Sequence, residues 1–237
     1  MAISGVTTFS LTGDQIVNAA MRKIAVLGDG QSPSATQLSN GTQALNVMLK
    51  TFTTKGMPLW VMTEYSLALT ATRIYTFGTG QTINIPAPLK VTQVLRVDST
   101  SAIPLNLRSH YDYNLLSGTS SIGPPTAYWY EPLNQTGVLH VWPIPDTTTI
   151  ATNTLKIVYQ KPFSDMVSGA DTLDFPQWWH EAIIYGLAWR LCGDYGVPLM
   201  DRNTLAQEAK YFLEESLSFG TEEGSLFLQP DWTIRGR

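Results

Sequence analysis

Cysteine is almost absent from this chain of 237 residues, with Cys192 as its one thiol. A single cysteine excludes an intrachain disulfide and a metal site built on cysteines. We expect Cys192 to be a buried structural side chain, because it lies in the most apolar stretch of the sequence. Histidine is also scarce, and His110, His140 and His180 have no second histidine or cysteine at metal-ligand spacing. The sequence therefore predicts no metal and no cofactor.

Charged residues are sparse too, at 14% of the chain against about 25% in an ordinary globular protein. This deficit indicates either a surface that faces other protein subunits or a threonine-rich β domain, and the composition does not separate the two. The net charge is −4 and no block of Lys and Arg occurs. Tight, sequence-independent DNA binding through clustered cations is therefore not expected.

Long apolar runs are missing as well. No window reaches the roughly 18 uninterrupted apolar residues of a membrane-spanning helix. The N-terminus, MAISGVTTFSLTGDQ, lacks the basic start and the long apolar core of a signal peptide. The sequence thus predicts neither a membrane segment nor a secretion signal.

The most apolar stretch that is present is DFPQWWHEAIIYGLAWRLC, residues 174–192. Apolar side chains cover nearly every face of a helical wheel, which predicts a helix buried on most sides. Asp174 and Gln177 match a capping pair, Pro176 suits the first turn, and Gly193 is placed to end the helix. We expect this helix to organise the core through Trp178, Trp179, Ile183, Leu187 and Leu191.

Three amphipathic helices are predicted around this central one. Two capping boxes, Thr12-Gly-Asp-Gln15 and Ser34-Ala-Thr-Gln37, open helices that end near Gly28 and Gly56. The last helix is predicted to start with Asp201 as its N-cap residue. Each of these helices carries one apolar stripe, so each needs a partner, and the central helix is the obvious one.

The hydrophobic period changes to two between Tyr65 and Phe163, with Gly, Pro and Asn at the breaks. Short strands at this spacing indicate an antiparallel sandwich or barrel. Its predicted details are a strand containing Ile83 and Ile85, a shared face for Val91, Leu95 and Val97, a short helical turn over 110–116 and a hairpin loop over 147–153.

These elements predict an α+β fold, a helical bundle of two N-terminal and two C-terminal helices with an inserted antiparallel β-sandwich or barrel-like domain. The predicted units are an N-terminal arm and helical hairpin at 1–57, a β-rich insert at 58–170 and two closing helices at 171–219. An extended C-terminal docking arm follows at 220–237.

The docking arm is apolar without any periodicity, unlike a typical disordered end. Either it folds back on its own domain or it docks on a partner. We favour the partner, because Pro230 and Gly236 leave the segment extended. The candidate docking residues are Leu226, Phe227, Leu228, Pro230, Trp232, Ile234 and Arg235.

No motif for catalysis is complete. His180-Glu181 resembles the start of a zinc-protease helix, but Ile184 stands where the second histidine is needed. Asp165, Asp171 and Asp174 do not match the spacing of a calcium loop and are expected to shape a turn. A hydrolase built on Asp112 or Glu131 is disfavoured, since no partner group is placed beside either. We therefore predict that the protein is not an enzyme.

An aromatic group, Tyr128-Trp129-Tyr130 with Trp142 nearby in sequence, could stack on sugars or bases. As a strand, however, residues 128–130 would split their rings between two faces. Core or subunit contact is the favoured interpretation. A carbohydrate- or receptor-binding module is kept as the alternative function.

Several stretches, taken in order, resemble the head–tail adaptor, or head-completion, proteins of tailed bacteriophages, also called packaged-DNA stabilisation or tail tubular A-type proteins. The motifs lie in the segment GPPTAYWYEPLNQTGVLHVWPIPDTTTIATNTLKIVYQKPFSDM and in DTLDFPQWWHEAIIYGLAWRLCGDYGVP. They are Gly-Pro, then Pro143-Ile-Pro145, Tyr159, Asp174 with Pro176, and the Leu187-Ala188 and Tyr195-Gly196 run. The earlier piece ALNVMLKTFTTKGMPLWVMTEYSLALT is similar to the second helix of that family. The resemblance covers most of residues 12–218.

The resemblance implies a homo-oligomeric ring, usually of twelve subunits, beneath the portal at the head–tail junction of the virion. The ring would line the channel through which double-stranded DNA passes without sequence-specific binding. The C-terminal segment would reach the portal protein, and the β insert would face a downstream tail or nozzle protein. The protein would be made in the host cytoplasm and would not contact a membrane.

Overall fold

A computed structural model of the chain describes residues 5, 8–53, 61–116, 118 and 120–220. Within these residues the fold has six α-helices and two four-stranded β-sheets, neither of which closes into a barrel. The predicted α+β class is therefore confirmed. The helices are α1 (Gly13–Lys23), α2 (Ala35–Phe52), α3 (His110–Asn114), α4 (Thr147–Thr152), α5 (His180–Leu191) and α6 (Leu199–Phe219). The strands are β1 (Met62–Ala68), β2 (Ile74–Phe77), β3 (Lys90–Val97), β4 (Ala102–Pro104), β5 (Asn106–Leu107), β6 (Ala127–Pro132), β7 (Gly137–Trp142) and β8 (Thr154–Gln160).

The helical bundle is built around α5, which contacts α1, α2 and α6. Its buried core combines residues from all four helices. Both predicted capping boxes form. In the first, the Gln15 amide N donates to Thr12 Oγ1 at 3.4 Å and the Thr12 amide N donates to Gln15 Oε1 at 3.0 Å. Local sequence therefore sets where α1 and α2 begin.

The predicted end of the first helix and the predicted start of the central helix are both wrong. Helix α1 ends at Lys23 rather than near Gly28, although Ile24 and Leu27 still enter the core. A 3₁₀ turn, Gln177–Trp179, precedes α5, and its N-cap residue Pro176 has no side-chain capping bond. The Asp174 carboxylate instead pairs with Lys161 Nζ.

The start of α6 also differs from the prediction. This helix begins at Leu199, and the Pro198 carbonyl accepts the first helical hydrogen bond, from the Arg202 amide N at 3.0 Å. A proline suits this boundary because its φ is fixed near the helical value. Asp201 lies in the first turn, where a negative charge favours the helix dipole.

The insert is a β-sandwich. One sheet has the strand order β1-β8-β3-β4 and the other β2-β7-β6-β5. Inward side chains of both sheets form a single second core, which places the sheets face to face. Leu155, Ile157 and Tyr159 of β8 alternate into this core, as their period of two predicts.

Strand β3 departs from the predicted face because it contains a bulge. Val91 pairs with Tyr159 but Gln93 pairs with Val158, so one extra residue enters the strand. The bulge reverses the alternation. Val94 is consequently buried, whereas Leu95 and Val97, predicted to share the face of Val91, are only partly covered.

Two loop predictions in the insert are also corrected. Residues 147–152 form α4 rather than a hairpin loop, because Asp146 Oδ1 accepts from the Thr149 amide N at 2.7 Å and caps the helix. Ile83 makes an isolated bridge to Phe77 in place of the predicted strand. The predicted helical turn after Ser109 is confirmed as α3.

The segment 161–176 joins the sandwich to the bundle. Lys50 Nζ on α2 donates to the Phe163 carbonyl at 2.8 Å and forms an ion pair with Asp165 at 2.7 Å. Asn46 bonds both the amide and the carbonyl of Met166, at 2.9 and 3.0 Å. The Met166 side chain itself enters the bundle core. These contacts hold the segment 161–176 against the bundle, although it continues directly from β8 of the sandwich.

Gly41 on α2 generates a stability prediction, because α1 and α2 approach each other closely there. A Cβ at Gly41 would collide with the fully buried Val17 side chain, whereas one at Gly193 would meet no atom within 4 Å. We expect Gly41→Ala to lower the free energy of unfolding by about 1–3 kcal/mol, despite alanine's higher helix propensity. Urea denaturation followed by circular dichroism measures this. Gly193→Ala is the control and should stay within about 0.5 kcal/mol. Equal effects of the two variants would contradict the predicted clash.

Candidate interaction surfaces

Strand β6 divides its aromatic side chains between the two faces of its sheet, as the sequence predicts. Tyr128 and Tyr130 point into the sandwich core, where their hydroxyls donate to the carbonyls of Thr92 at 3.1 Å and Pro88 at 2.6 Å. Burial raises the pKa of Tyr130 to about 12. Trp129 lies on the opposite, outer face. The inner rings are therefore structural, and of the three β6 rings only Trp129 remains a candidate for binding. Trp142 lies on the outer side of β7, where its Nε1 donates to the Gly118 carbonyl at 3.3 Å.

Two imidazoles flank Trp129 on this outer face. His140 is its direct neighbour on β7, with ring centroids 4.5 Å apart, and His110 at the start of α3 stacks at 4.4 Å. Because β6 lies between β7 and β5, and α3 follows β5, the imidazoles approach from opposite sides of the strand. Tyr113 joins at 5.9 Å and donates its hydroxyl to the Val141 carbonyl at 3.0 Å. We call His110, Tyr113, Trp129 and His140 the outer aromatic cluster.

His140 is the titratable centre of the outer aromatic cluster. Burial lowers its pKa below the ordinary 6.5, and the positive charges of Arg73 and His110 act in the same direction. The Glu131 carboxylate, whose Oε2 lies 3.5 Å from His140 Nε2, opposes the shift. Near pH 7 the ring is therefore neutral.

The outer aromatic cluster leaves little room for a ligand. The adjacent cavity measures about 130 Å³ and is lined in part by Arg73 and Trp142. Small-molecule sites usually enclose about 300 Å³ or more. The indole faces on which a sugar would stack are already covered by imidazoles. No geometric feature of the cluster favours the alternative carbohydrate-binding function.

A larger apolar surface lies on the bundle. A groove of about 370 Å³ runs between α2, α5 and α6. Its lining combines small residues with large apolar ones and two cations. They are Met48, Thr51, Phe52, Ala182, Gly186, Trp189, Arg190, Ala206, Ala209, Lys210 and Leu213. We call this surface the α2–α5–α6 groove. Two more polar clefts on the bundle are larger, at about 540 and 520 Å³.

The residues predicted to organise the core are divided by the structure. Trp179, Ile183, Leu187 and Leu191 are buried in the bundle core. Trp178 is 46% exposed and packs edge-on against Phe219, with ring centroids 5.0 Å apart. The 3₁₀ turn before α5 gives neighbouring tryptophans different surroundings. The predicted docking residues Leu226, Phe227, Leu228, Pro230, Trp232, Ile234 and Arg235 lie outside the described residues.

The remaining candidate groups are structural. His180 is buried and meets the Phe9 ring edge-on at 5.7 Å. Cys192 is fully buried, and its thiol donates to the Ala188 carbonyl at 3.2 Å. Asp171 accepts from two backbone amides of its own turn, as predicted for a turn-shaping carboxylate. Across the described ranges, no three His, Cys, Asp or Glu side chains come close enough to hold a metal ion. None of the helices described there has the length and apolar character needed to cross a bilayer.

Sequence reasoning missed the α2–α5–α6 groove. Its floor is made of small residues, Ala182 and Gly186 on α5 and Ala206 and Ala209 on α6. The signal was available as spacings of four and three residues, which place each pair on one helix face. Without a tertiary arrangement, nothing indicated that the two faces meet.

The described part of the chain is an α+β protein with a helical bundle, an inserted β-sandwich and an apolar groove. A family model, that of the SU10 adaptor protein, matches residues 11–219, a span that includes both the bundle and the sandwich. The chain belongs to the SU10 adaptor family, and the resemblance to phage head–tail adaptors is confirmed. It is thus a bacteriophage structural adaptor and a virion component, a class that suggests a non-enzyme. No curated protein matches the chain.

His140 and His180 predict how stability depends on pH. Burial lowers the pKa of both in the folded state, so the unfolded chain binds more protons as the pH falls below about 6.5. The free energy of unfolding should therefore decrease between about pH 7.5 and pH 5.5. Urea titrations at both pH values should show a smaller decrease for His140→Gln and for His180→Gln, and the smallest for the double variant. An unchanged decrease in the double variant would rule this origin out.

Proposed function

We propose that this adaptor forms a ring that joins the portal to the tail and surrounds the DNA exit channel. The observation that carries the proposal is the family match over 11–219. A second observation supports ring formation, because the bundle exposes large apolar side chains that neighbouring copies could cover. These side chains are Val47, Trp189, Leu199, Met200, Tyr211 and Phe219.

A closed ring requires that each copy present two different surfaces, one for each neighbour. The exposed apolar residues are distributed over three helices, α2, α5 and α6, which is compatible with two different contact surfaces on each copy. Twelve copies is the number that the resemblance to the family implies. The portal would bind above this ring, and a tail or nozzle protein would bind to the sandwich below it.

The charge of the protein suits a channel that DNA passes through. With a net charge of −4 and charged residues at only 14%, the ring offers few cations to phosphate. Contacts with DNA are dominated by phosphate neutralisation, so a wall poor in Lys and Arg binds DNA weakly. DNA can therefore slide past without a sequence-specific stop.

The portal contact is assigned to the C-terminal segment. Its apolar residues are weak anchors singly, but a ring presents many copies at once and gains avidity from them. The docking residues of this proposal are Leu226, Phe227, Leu228, Pro230, Trp232, Ile234 and Arg235.

The C-terminal assignment is tested in the full chain by replacing four of its large apolar residues with serine, namely Leu226, Phe227, Leu228 and Trp232. We expect portal binding to weaken at least about tenfold, since buried aromatic anchors dominate such interfaces. Cosedimentation with the purified portal and electron microscopy of the mixture measure binding and ring formation. A matched control replaces Ser225, Gln229 and Thr233 with alanine and should bind normally. Full affinity after deletion of 221–237 would refute the assignment.

A further inference from the structure

The α2–α5–α6 groove is shaped to receive apolar side chains. Its lining includes the small residues Ala206 and Ala209 of α6, whereas Gly186 of α5 is already covered by the Met48 and Phe52 side chains of α2. Its walls carry Phe52, Trp189 and Leu213, and Trp189 remains 46% exposed. An exposed apolar groove of this kind costs free energy until something covers it.

The rim of the groove is positively charged. Arg190 and Lys210 lie on it, from α5 and α6. Arg190 Nη2 donates to Thr51 Oγ1 at 3.2 Å. Lys210 Nζ lies 3.7 Å from a Glu214 carboxylate oxygen, an exposed pair that contributes little. The rim therefore favours an occupant that carries acidic residues beside its apolar ones.

The last residue of the described chain, Gly220, lies on the groove side of α6. Leu213 lines the groove, and Gly220 follows it by seven residues, which is two helical turns and the same face. Gly220 is buried, and its amide N donates to the Leu217 carbonyl at 3.1 Å as the helix ends. Gly220, the last described residue, therefore lies on the groove face of α6, about 10 Å along the helix axis from Leu213.

The sequence of the segment after Gly220 fits the groove. Residues 221–224, Thr-Glu-Glu-Gly, can span about 13 Å when extended, which covers the distance back to Leu213. Glu223 can then reach about 10 Å from Gly220, so its carboxylate approaches the Lys210 side chain, whose Cα lies about 15 Å from Gly220 along the helix. Leu226, Phe227 and Leu228 follow immediately and supply the apolar side chains. A short tether of this kind gives a local concentration in the millimolar range, well above that of a second copy in solution.

We propose that in the free protein residues 226–228 occupy the α2–α5–α6 groove of their own chain. This arrangement covers the apolar tail and the apolar groove together before assembly. This contact would form whichever partner residues 226–228 bind later. Because the same side chains cannot fill two sites at once, binding of the tail elsewhere requires its release from the groove.

Disulfide trapping in the full chain tests this placement, since a disulfide forms only when the two Cα atoms come within about 7 Å. One variant combines Ala206→Cys in the groove with Gln229→Cys beyond the apolar residues. The matched control combines Glu208→Cys, which lies two residues away on another face of α6, with the same Gln229→Cys. Native Cys192 is fully buried and does not compete.

Under mild oxidation of the free protein, without portal, we expect the first variant to form an intramolecular disulfide at least about tenfold faster than the control. Adding Phe227→Ser should reduce its rate to that of the control. Lys210→Cys with Gln229→Cys repeats the test at an exposed rim position that does not disturb the core. Equal rates at groove and control positions would overturn the proposal. Disulfides formed mainly between chains would overturn it too, by assigning the groove to a second copy.

Discussion

The burial of α5 on three sides is the constraint on which the architecture depends. Most of its apolar residues are buried, so α1 and α2 from the start of the chain and α6 from its end all pack against α5. The sandwich lies between these helices in sequence, so the chain must leave the bundle and re-enter it at neighbouring points. It does so, because Met62 of β1 pairs with Gln160 of β8, and the Lys161 amide N donates to the Val61 carbonyl. An insert with adjacent ends leaves the bundle continuous.

The two candidate interaction surfaces differ in how far other side chains of the protein already cover them. In the outer aromatic cluster, the imidazoles of His110 on α3 and His140 on β7 stack on the Trp129 ring and cover it. The α2–α5–α6 groove has no such cover among the described residues, although it lies beside the most buried helix. Contact with other segments or subunits is therefore expected of the bundle more than of the outer face of β6.

An adaptor must remain dispersed until its partners are present and then bind them firmly. The proposed groove contact and the proposed portal contact use the same apolar residues, which makes them mutually exclusive. Exposure of the C-terminal segment would then be coupled to assembly, and the free energy of leaving the groove would reduce its affinity for any other site. Many copies in one ring can offset that cost.

The sequence by itself determined the features that depend on neighbours along the chain. The capping boxes at Thr12 and Ser34, the period of two in the insert and the apolar character of 174–192 all involve residues within a few positions of each other. Tertiary structure decided what depends on distant partners. The bulge after Val91 changes which side chains of β3 face the core, and it arises only from the pairing of β3 with β8. Trp178 is partly covered rather than buried, because Phe219 of α6 packs against one side of its ring. The groove exists only where three helices meet. Its small residues therefore could not be predicted to line one surface before the packing of these helices was known.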